Sequence, residues 1–432
     1  MSGENSVARN VAAVYKGKVE SSLFSGDCEI TIEAEGILLD SLLHTTFVPY
    51  HSITAISREN HVIHLDTRVS PVKVSRIGLD EEAFFLNLCA AFNKKVESVF
   101  QPKGSLLMEL RNSAYSYDER EGRAELHVFR DCILLLPPNL DARRIPFLFV
   151  SAFAAENHLM DLALETGEQY GLSRLGYDFD PLISQLTEAF RNLRARNAGL
   201  LEQLDPALSR SQAVQTAQLI PEGIAVPLSK LQAHVPTTAT VLKEMLAASP
   251  LAEYFQALEE IADVSRMAVG FKWDPAVADT DKKPEDETKS EDDTEPQDDV
   301  EMEDKTEPSV EAETVSEKTS DWALWTVSPS RDGQKAVVEF NFPREKAATY
   351  VFEAKGNFEG FLITLNRAFE ATDFRREMLY LTDPELHLER NAGGRMLLER
   401  TPALQELREV FAGRVIHYSI DSWYKNLQDM LK

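Results

Sequence analysis

The sequence has few cysteines, no paired cysteine spacing and no apolar run long enough to cross a membrane. Its three cysteines, Cys28, Cys89 and Cys132, are scattered through the first third of the chain. This pattern argues against a disulfide framework and favours a reducing compartment. The longest apolar stretch, Ile145 to Ala155, is interrupted by a serine and too short to span a bilayer. Because residues Met1 to Asn10 also lack the apolar core of a signal peptide, we expect a cytoplasmic protein without transmembrane segments.

Signatures of catalysis and of metal binding are missing as well. No nucleophile elbow, P-loop or dinucleotide fingerprint occurs in the sequence. His61 and His64 form the densest histidine pair, but on a strand this spacing points the two rings to opposite faces. Cys89 lies on a predicted helix without a positioned histidine to activate it. The sequence therefore predicts a protein that is not an enzyme and needs no cofactor or metal.

Positive charge is scarce. The chain has 45 Lys and Arg residues against 71 Asp and Glu residues, a net charge of −26. Such a field repels nucleic acid and anionic membranes and favours basic partners. Half of this net negative charge lies in residues 279–319, which contain 18 acidic residues, five lysines and no aromatic residue. This segment cannot bury enough apolar surface to offset its conformational entropy, so we expect it to be disordered.

The sequence does contain an internal duplication. Residues 48–53 and 59–61 recur at 145–150 and 156–158, a spacing of 97 residues. The Ser-Arg-Ile-Gly of residues 75–78 recurs in similar form 98 residues later. A spacing that drifts by single residues indicates two copies of one unit with small insertions in its loops.

Each copy has several alternating segments followed by an amphipathic helix. In the first copy, residues 46–56 and 62–67 are predicted to be strands, and Asp80 is predicted to cap the helix. In the second, Asp180 and Pro181 have the residue types of a cap and a first helical position. The pattern predicts an α+β fold in which a curved antiparallel sheet, or partly open barrel, is capped by a C-terminal helix.

This plan resembles the pleckstrin-homology-like (PH-like) fold, and more particularly bacterial PH-like domains. There, a strand with a Pro-Tyr-x-x-Ile-like segment precedes the last strands and the closing helix. Residues Pro49 to Ile53 and the Pro146-Phe147 pair carry the resemblance. It covers residues 12–100 and 104–197 and implies tandem PH-like modules.

The rest of the chain is divided by its changes in composition. Residues 200–264 have helical spacing and are predicted to form a helical connector. Residues 265–375 are interpreted as a third, divergent PH-like module that contains the acidic insertion 279–319. The evidence is a helix predicted to begin at Asn357, whose Phe369 corresponds to aromatic residues of the first two helices. Residues 376–432 are predicted to be a helical extension.

Five residues are candidates for contacts with a ligand or partner. PH domains that bind phosphoinositides carry cations on their first strands, and Lys16, Lys18, Arg120 and Arg123 lie at corresponding places. Glutamates alternate with these cations, whereas phosphate recognition needs several convergent cations, so lipid binding is disfavoured. Trp322 directly follows the acidic segment and is a candidate partner contact.

Two classes of function fit these observations best. The first is a binding or scaffold protein whose tandem modules present grooves or strand edges to protein or peptide partners. The second is an acidic chaperone of basic proteins that acts through residues 279–319. In architecture alone, tandem PH-like modules with an acidic stretch resemble eukaryotic histone chaperones, which would imply a nuclear location.

Overall fold

The computed structural model describes residues 14–249, 251–273, 322–341 and 348–432. The predicted disordered segment 279–319 lies outside these residues. The described chain is α+β and contains two curved, half-closed antiparallel sheets with their helices, an arrangement consistent with tandem PH-like modules.

The first unit is a seven-stranded sheet followed by one helix. Its strands lie in the order β4-β3-β2-β1-β7-β6-β5, so that the first strand pairs with the last. Apolar side chains alternate toward the concave face, where the helix covers them. The elements are β1 (Val14–Glu20), β2 (Ser25–Ile32), β3 (Gly36–Asp40), β4 (Thr45–Pro49), β5 (Ile53–Glu59), β6 (Val62–Thr67), β7 (Val72–Ser75) and α1 (Glu81–Phe100).

The second unit repeats this plan strand for strand, with the order β11-β10-β9-β8-β14-β13-β12. Its helix is longer and continues into the following part of the chain. The elements are β8 (Met108–Tyr117), β9 (Arg120–Val128), β10 (Cys132–Leu136), β11 (Arg143–Pro146), β12 (Val150–Glu156), β13 (Leu159–Leu164), β14 (Gln169–Ser173) and α2 (Phe179–Leu204).

The repeated Glu-Asn-His segments are tight hairpin turns. Asn60 and His61 have φ values of 50° and 61°, and Asn157 and His158 have values of 52° and 61°. Two consecutive positive φ angles match the right-handed twist of the flanking strands, and asparagine and histidine tolerate this region better than most residues. The two histidines therefore recur because of backbone geometry.

Three local predictions need correction. The strand expected over residues 46–56 is divided, because Tyr50 to Ser52 form a 3-10 turn between β4 and β5. Asp80 does precede α1, but its side chain makes no capping hydrogen bond. In the second copy α2 begins at Phe179, one residue before the aspartate that was expected to cap it.

The third sheet differs from the third copy expected at residues 265–375. Its order is sequential, β15-β16-β17-β18-β19-β20, and among the described residues its first and last strands do not pair with each other. Its outer strands β15 and β20 come from outside that range. Strand β15 precedes the expected range, and β20 follows it because the chain returns to the sheet after α7, the helix that was expected from residue 357. The elements are β15 (Val226–Pro227), β16 (Ala268–Trp273), β17 (Trp322–Pro329), β18 (Lys335–Asn341), β19 (Ala348–Glu353), α7 (Phe358–Thr372) and β20 (Phe411–Ile416).

Short helices occupy most of the remaining described chain. Residues 200–264 are helical in large part, and the C-terminal part, predicted to be a helical extension, contains helices that include residues 402–409 and 420–431. Strand β20 between them was not predicted. The helices are α3 (Arg210–Leu219), α4 (Leu228–His234), α5 (Pro236–Ala247), α6 (Ala252–Leu258), α8 (Glu377–Tyr380), α9 (Asp383–Leu386), α10 (Ala392–Glu399), α11 (Pro402–Glu409) and α12 (Ile420–Leu431).

Strand β10 joins the first two units because both of its faces are buried. Ile133 and Leu135 pack in the core of the second unit. Cys132, Leu134 and Leu136 point the other way, into a core that includes the first unit. All five residues of this strand are buried, as expected for a strand between two apolar layers.

Candidate partner-binding edge

The four candidate lysines and arginines already have hydrogen-bonding or ion-pair partners within the chain. The Nζ atom of Lys16 lies 3.0 Å from a carboxylate oxygen of Glu29, and Lys18 lies 2.6 Å from Glu20. Both lysines are on β1, on one face. The open cavity of about 600 Å³ beside Lys16 is lined by one further cation, Arg76, and three carboxylates. A phosphate would therefore meet more negative than positive charge there.

We expect the double substitution Lys16→Glu and Lys18→Glu to leave binding to anionic liposomes unchanged. The two lysines are neutralised by neighbouring glutamates, so removing them takes away no convergent anion site. Cosedimentation with phosphoinositide-containing vesicles measures this. A clear loss of cosedimentation relative to the wild-type chain would support lipid recognition instead.

The second pair of cations and the candidate tryptophan do not line the cavity beside Lys16. Arg120 pairs with Asp141 at 3.1 Å, and its guanidinium stacks over a tyrosine ring. Arg123 donates to the carbonyl oxygen of Asn112 at 3.1 Å. Trp322 is half-buried on β17 and contacts two aromatic rings of the neighbouring strand. The five residues therefore do not form one site.

The histidines and cysteines are in structural environments. The Nδ1 atom of His61 lies 2.9 Å from a carboxylate oxygen of Glu81. All three cysteine thiols are buried, and burial raises the pKa of Cys28 to about 11 and those of Cys89 and Cys132 to about 12. A thiol with so high a pKa is a poor nucleophile at neutral pH. Within the described ranges, no group of three or more His, Cys, Asp or Glu side chains could hold a metal ion.

One strand edge of the first unit is occupied by another part of the chain. The outer edge of β5 pairs with the loop after β10: the Ile56 N–H donates to the Pro138 carbonyl oxygen at 2.8 Å. Ala55 and Asn139 form an antiparallel bridge beside it. An extended segment thus adds to the sheet edge through backbone hydrogen bonds, the arrangement by which many domains capture peptides.

Helix α1 forms the other wall of this occupied groove. The Asn93 side chain donates to the Leu136 carbonyl oxygen at 3.1 Å and to the Glu125 carboxylate at 3.0 Å. Glu97 lies 2.5 Å from a ring nitrogen of His127. The helix therefore contacts the chain at Leu136, where the paired loop begins, and also holds the neighbouring strand β9 through Glu125 and His127.

The second unit has the same groove without an occupant from the described chain. With the spacing of 97 residues on the strand, Ala55 and Ile56 correspond to Ala152 and Phe153 of β12. The outer edge of β12 forms no backbone hydrogen bond with any described residue, since its pairing is with β13 alone. The half-buried Phe153 lines this groove with Phe190 of α2, and their ring centroids are 6.1 Å apart.

Corresponding residues of the two grooves differ clearly in burial. Ile56 is 4% exposed and Phe92 is fully buried in the first unit, whereas their counterparts Phe153 and Phe190 are both half-buried. The difference continues along the helices, where three buried residues of α1 correspond to three exposed residues of α2. These pairs, at a spacing of 98, are Cys89 and Thr187, Asn93 and Arg191, and Val96 and Arg194.

The sequence analysis did not identify this groove, although a signal for it was present. When the two copies are aligned, one helical face changes from Cys, Asn and Val to Thr, Arg and Arg. A face that is apolar in one copy and charged in the other is buried in the first and exposed in the second.

Comparisons with known proteins give little further support. No protein-family model and no curated protein matches the chain. Among solved structures, that of the Spt16D Pob3N heterodimer is similar, with 12% sequence identity over 36% of this chain and 86% of that chain, at a TM-score of 0.15. A TM-score this low carries no argument, so the fold description depends on the strand order of the chain itself. No helix of the described residues has the length and apolarity that a membrane crossing requires.

Proposed function

We propose that this chain is a non-catalytic binding protein whose second PH-like unit captures an extended segment of a partner protein along β12 and α2. The observation that carries the proposal is the occupied groove of the first unit. There the same strand edge and the same helix already hold an extended segment, with a backbone hydrogen bond at 2.8 Å. The second groove is formed by the corresponding strand and helix, and no described residue pairs with its strand edge.

Physical considerations favour capture of a peptide at such an edge. The strand offers unpaired N–H and C=O groups, which give affinity for any extended backbone. The rings of Phe153 and Phe190 offer apolar surface that a partner side chain can cover. Backbone pairing along the seven residues of β12 does not by itself distinguish one partner sequence from another. Specificity must then come from the side chains of α2.

Other classes of function have less support. The high thiol pKa values oppose cysteine catalysis, and the paired cations of the first unit oppose headgroup binding. A net charge of −26 opposes direct contact with nucleic acid. An acidic chaperone function through residues 279–319 stays an alternative on the strength of that segment's charge.

We expect Ala155→Pro to weaken partner capture roughly tenfold, because it removes one outward backbone donor from the edge. The Phe153 N–H corresponds to the Ile56 N–H that binds the loop, and strand alternation points the Ala155 N–H to the same side. Proline is tolerated at such a position of an edge strand. The measurement is the amount of each partner captured from native lysate by the full chain.

Ala155→Ser is the matched control, because it keeps the N–H and changes the side chain by one hydroxyl. Partners retained by the serine variant and lost by the proline variant use the edge. If no partner depends on residue 155, the edge is not the binding site. Salt-sensitive capture of basic proteins that survives Ala155→Pro and disappears on deletion of residues 279–319 would favour the chaperone alternative.

A further inference from the structure

We propose that the groove between β12 and α2 selects partner segments that carry an acidic residue. This inference rests on the proposed function and adds the chemistry of the partner. Its basis is the pair Arg191 and Arg194, which lies along the helical wall of the open groove.

The occupied groove shows what the helical wall does. Asn93 of α1 donates to the Leu136 carbonyl oxygen, directly before the captured loop, at 3.1 Å, and to the Glu125 carboxylate of the neighbouring strand β9 at 3.0 Å. In α2 the corresponding residue is Arg191, which also has donors but carries a positive charge. One turn further, the buried Val96 is replaced by the exposed Arg194. The second groove therefore has two cations where the first has an amide and an isopropyl group.

These arginines are available for a ligand. Both side chains are exposed, and no ion pair or hydrogen bond connects either of them to a side chain of the described residues. In the same unit, by contrast, Arg120 and Arg196 are held by carboxylates at 3.1 Å and 2.7 Å. A guanidinium prefers a carboxylate, which it can bind through two parallel hydrogen bonds.

The register of the captured loop gives the position of the acidic residue. In the first unit the Leu136 carbonyl meets α1, and the Pro138 carbonyl, two residues later, meets β5. A partner in the same antiparallel register has its acidic residue two positions before the residue that accepts from the Phe153 N–H.

The probe is a labelled peptide with the sequence of residues 134–141, in which Leu136 is replaced by Glu or, in a second peptide, by Lys. Fluorescence anisotropy measures binding of each peptide to the full chain. We expect the Leu136→Glu peptide to bind the wild-type chain at least about tenfold more tightly than the Leu136→Lys peptide. Arg191→Glu combined with Arg194→Glu should reverse that preference.

Arg123→Glu is the matched control, since it reverses an exposed arginine of the same unit away from the groove. It should leave the preference unchanged. If both peptides bind equally and Ala155→Pro abolishes both, the edge is real and the charge selection is refuted. If neither peptide binds the wild-type chain, the proposed capture by β12 fails as well. A preference that survives reversal of Arg191 and Arg194 refutes the assignment to these residues.

Discussion

Replacing Glu370 by alanine should lower the free energy of unfolding by about 2–3 kcal/mol, because it removes the carboxylate that two buried guanidinium groups share, although each of them keeps one other carboxylate partner. Glu370 lies on α7 and pairs with Arg144 of β11 and, at 3.0 Å, with Arg367 of its own helix. The two arginine side chains are only 4% and 3% exposed. Burial lowers the pKa of Arg367, and the nearby carboxylate of Glu168 opposes that shift.

The same carboxylate connects two parts of the fold. Arg144 belongs to the second unit, and Arg367 also donates to the Arg144 carbonyl oxygen at 2.7 Å. Without Glu370 the contact between β11 and α7 should open before the sheets themselves unfold. Urea denaturation measures the loss of stability, and amide hydrogen exchange in β11 and α7 measures the opening.

Two variants test whether the buried pair is responsible. Glu370→Gln keeps the shape and one acceptor and should lose less stability than the alanine variant. Glu29→Ala removes the exposed partner of Lys16 and should leave the urea midpoint unchanged. An unchanged midpoint for Glu370→Ala, or exchange that rises equally in the first sheet, would contradict the role assigned to Glu370.

The parts of the fold that could be predicted from sequence are those with a local or repeated signal. Alternating strands and an amphipathic closing helix recur at a nearly constant spacing, and the structure has both units with the same strand order. The helix after Asn357 also begins as expected, with the Asn357 side chain accepting from the Gly360 N–H at 3.1 Å. Such features depend on neighbouring residues, which is why sequence patterns report them.

What could not be predicted depends on residues that are distant in sequence. The apolar run of β10, from Cys132 to Leu136, indicates a strand with two buried faces, but not that its second face meets the first unit. Arg144 and Glu370 are 226 residues apart. Strand β20 was missed because its residues alternate only over a short stretch, and its partner β19 is separated from it by α7. The open groove leaves a signal in the aligned helices, but that signal does not say which strand edge forms the other wall.

Trp423→Ala should release helix α12 from the third sheet and cost about 3–5 kcal/mol, as expected for removing a fully buried tryptophan. The side chain is 1% exposed, and its Nε1–H donates to the Thr349 hydroxyl oxygen at 2.6 Å. The same hydroxyl lies 2.9 Å from Nε2 of His417, and the ring of Tyr254 stacks on that histidine with 4.0 Å between centroids. The tryptophan therefore closes a buried polar cluster as well as an apolar one.

Limited trypsin digestion provides a local measurement of this release, because Lys425 lies exposed on α12. Folded helices resist cleavage, so the cut after Lys425 should accelerate in Trp423→Ala while cuts in the first unit keep their rate. Trp423→Phe retains most of the ring volume and loses the N–H donor, which should give an intermediate rate. Tyr418→Ala, at a side chain that is 82% exposed, is the control and should behave like the wild-type chain.

Equal cleavage after Lys425 in Trp423→Ala and wild type would mean that α12 is held by contacts other than those of Trp423. In that case the hydrogen bonds of the buried Thr349 and His417 side chains would have to be completed without the Trp423 N–H.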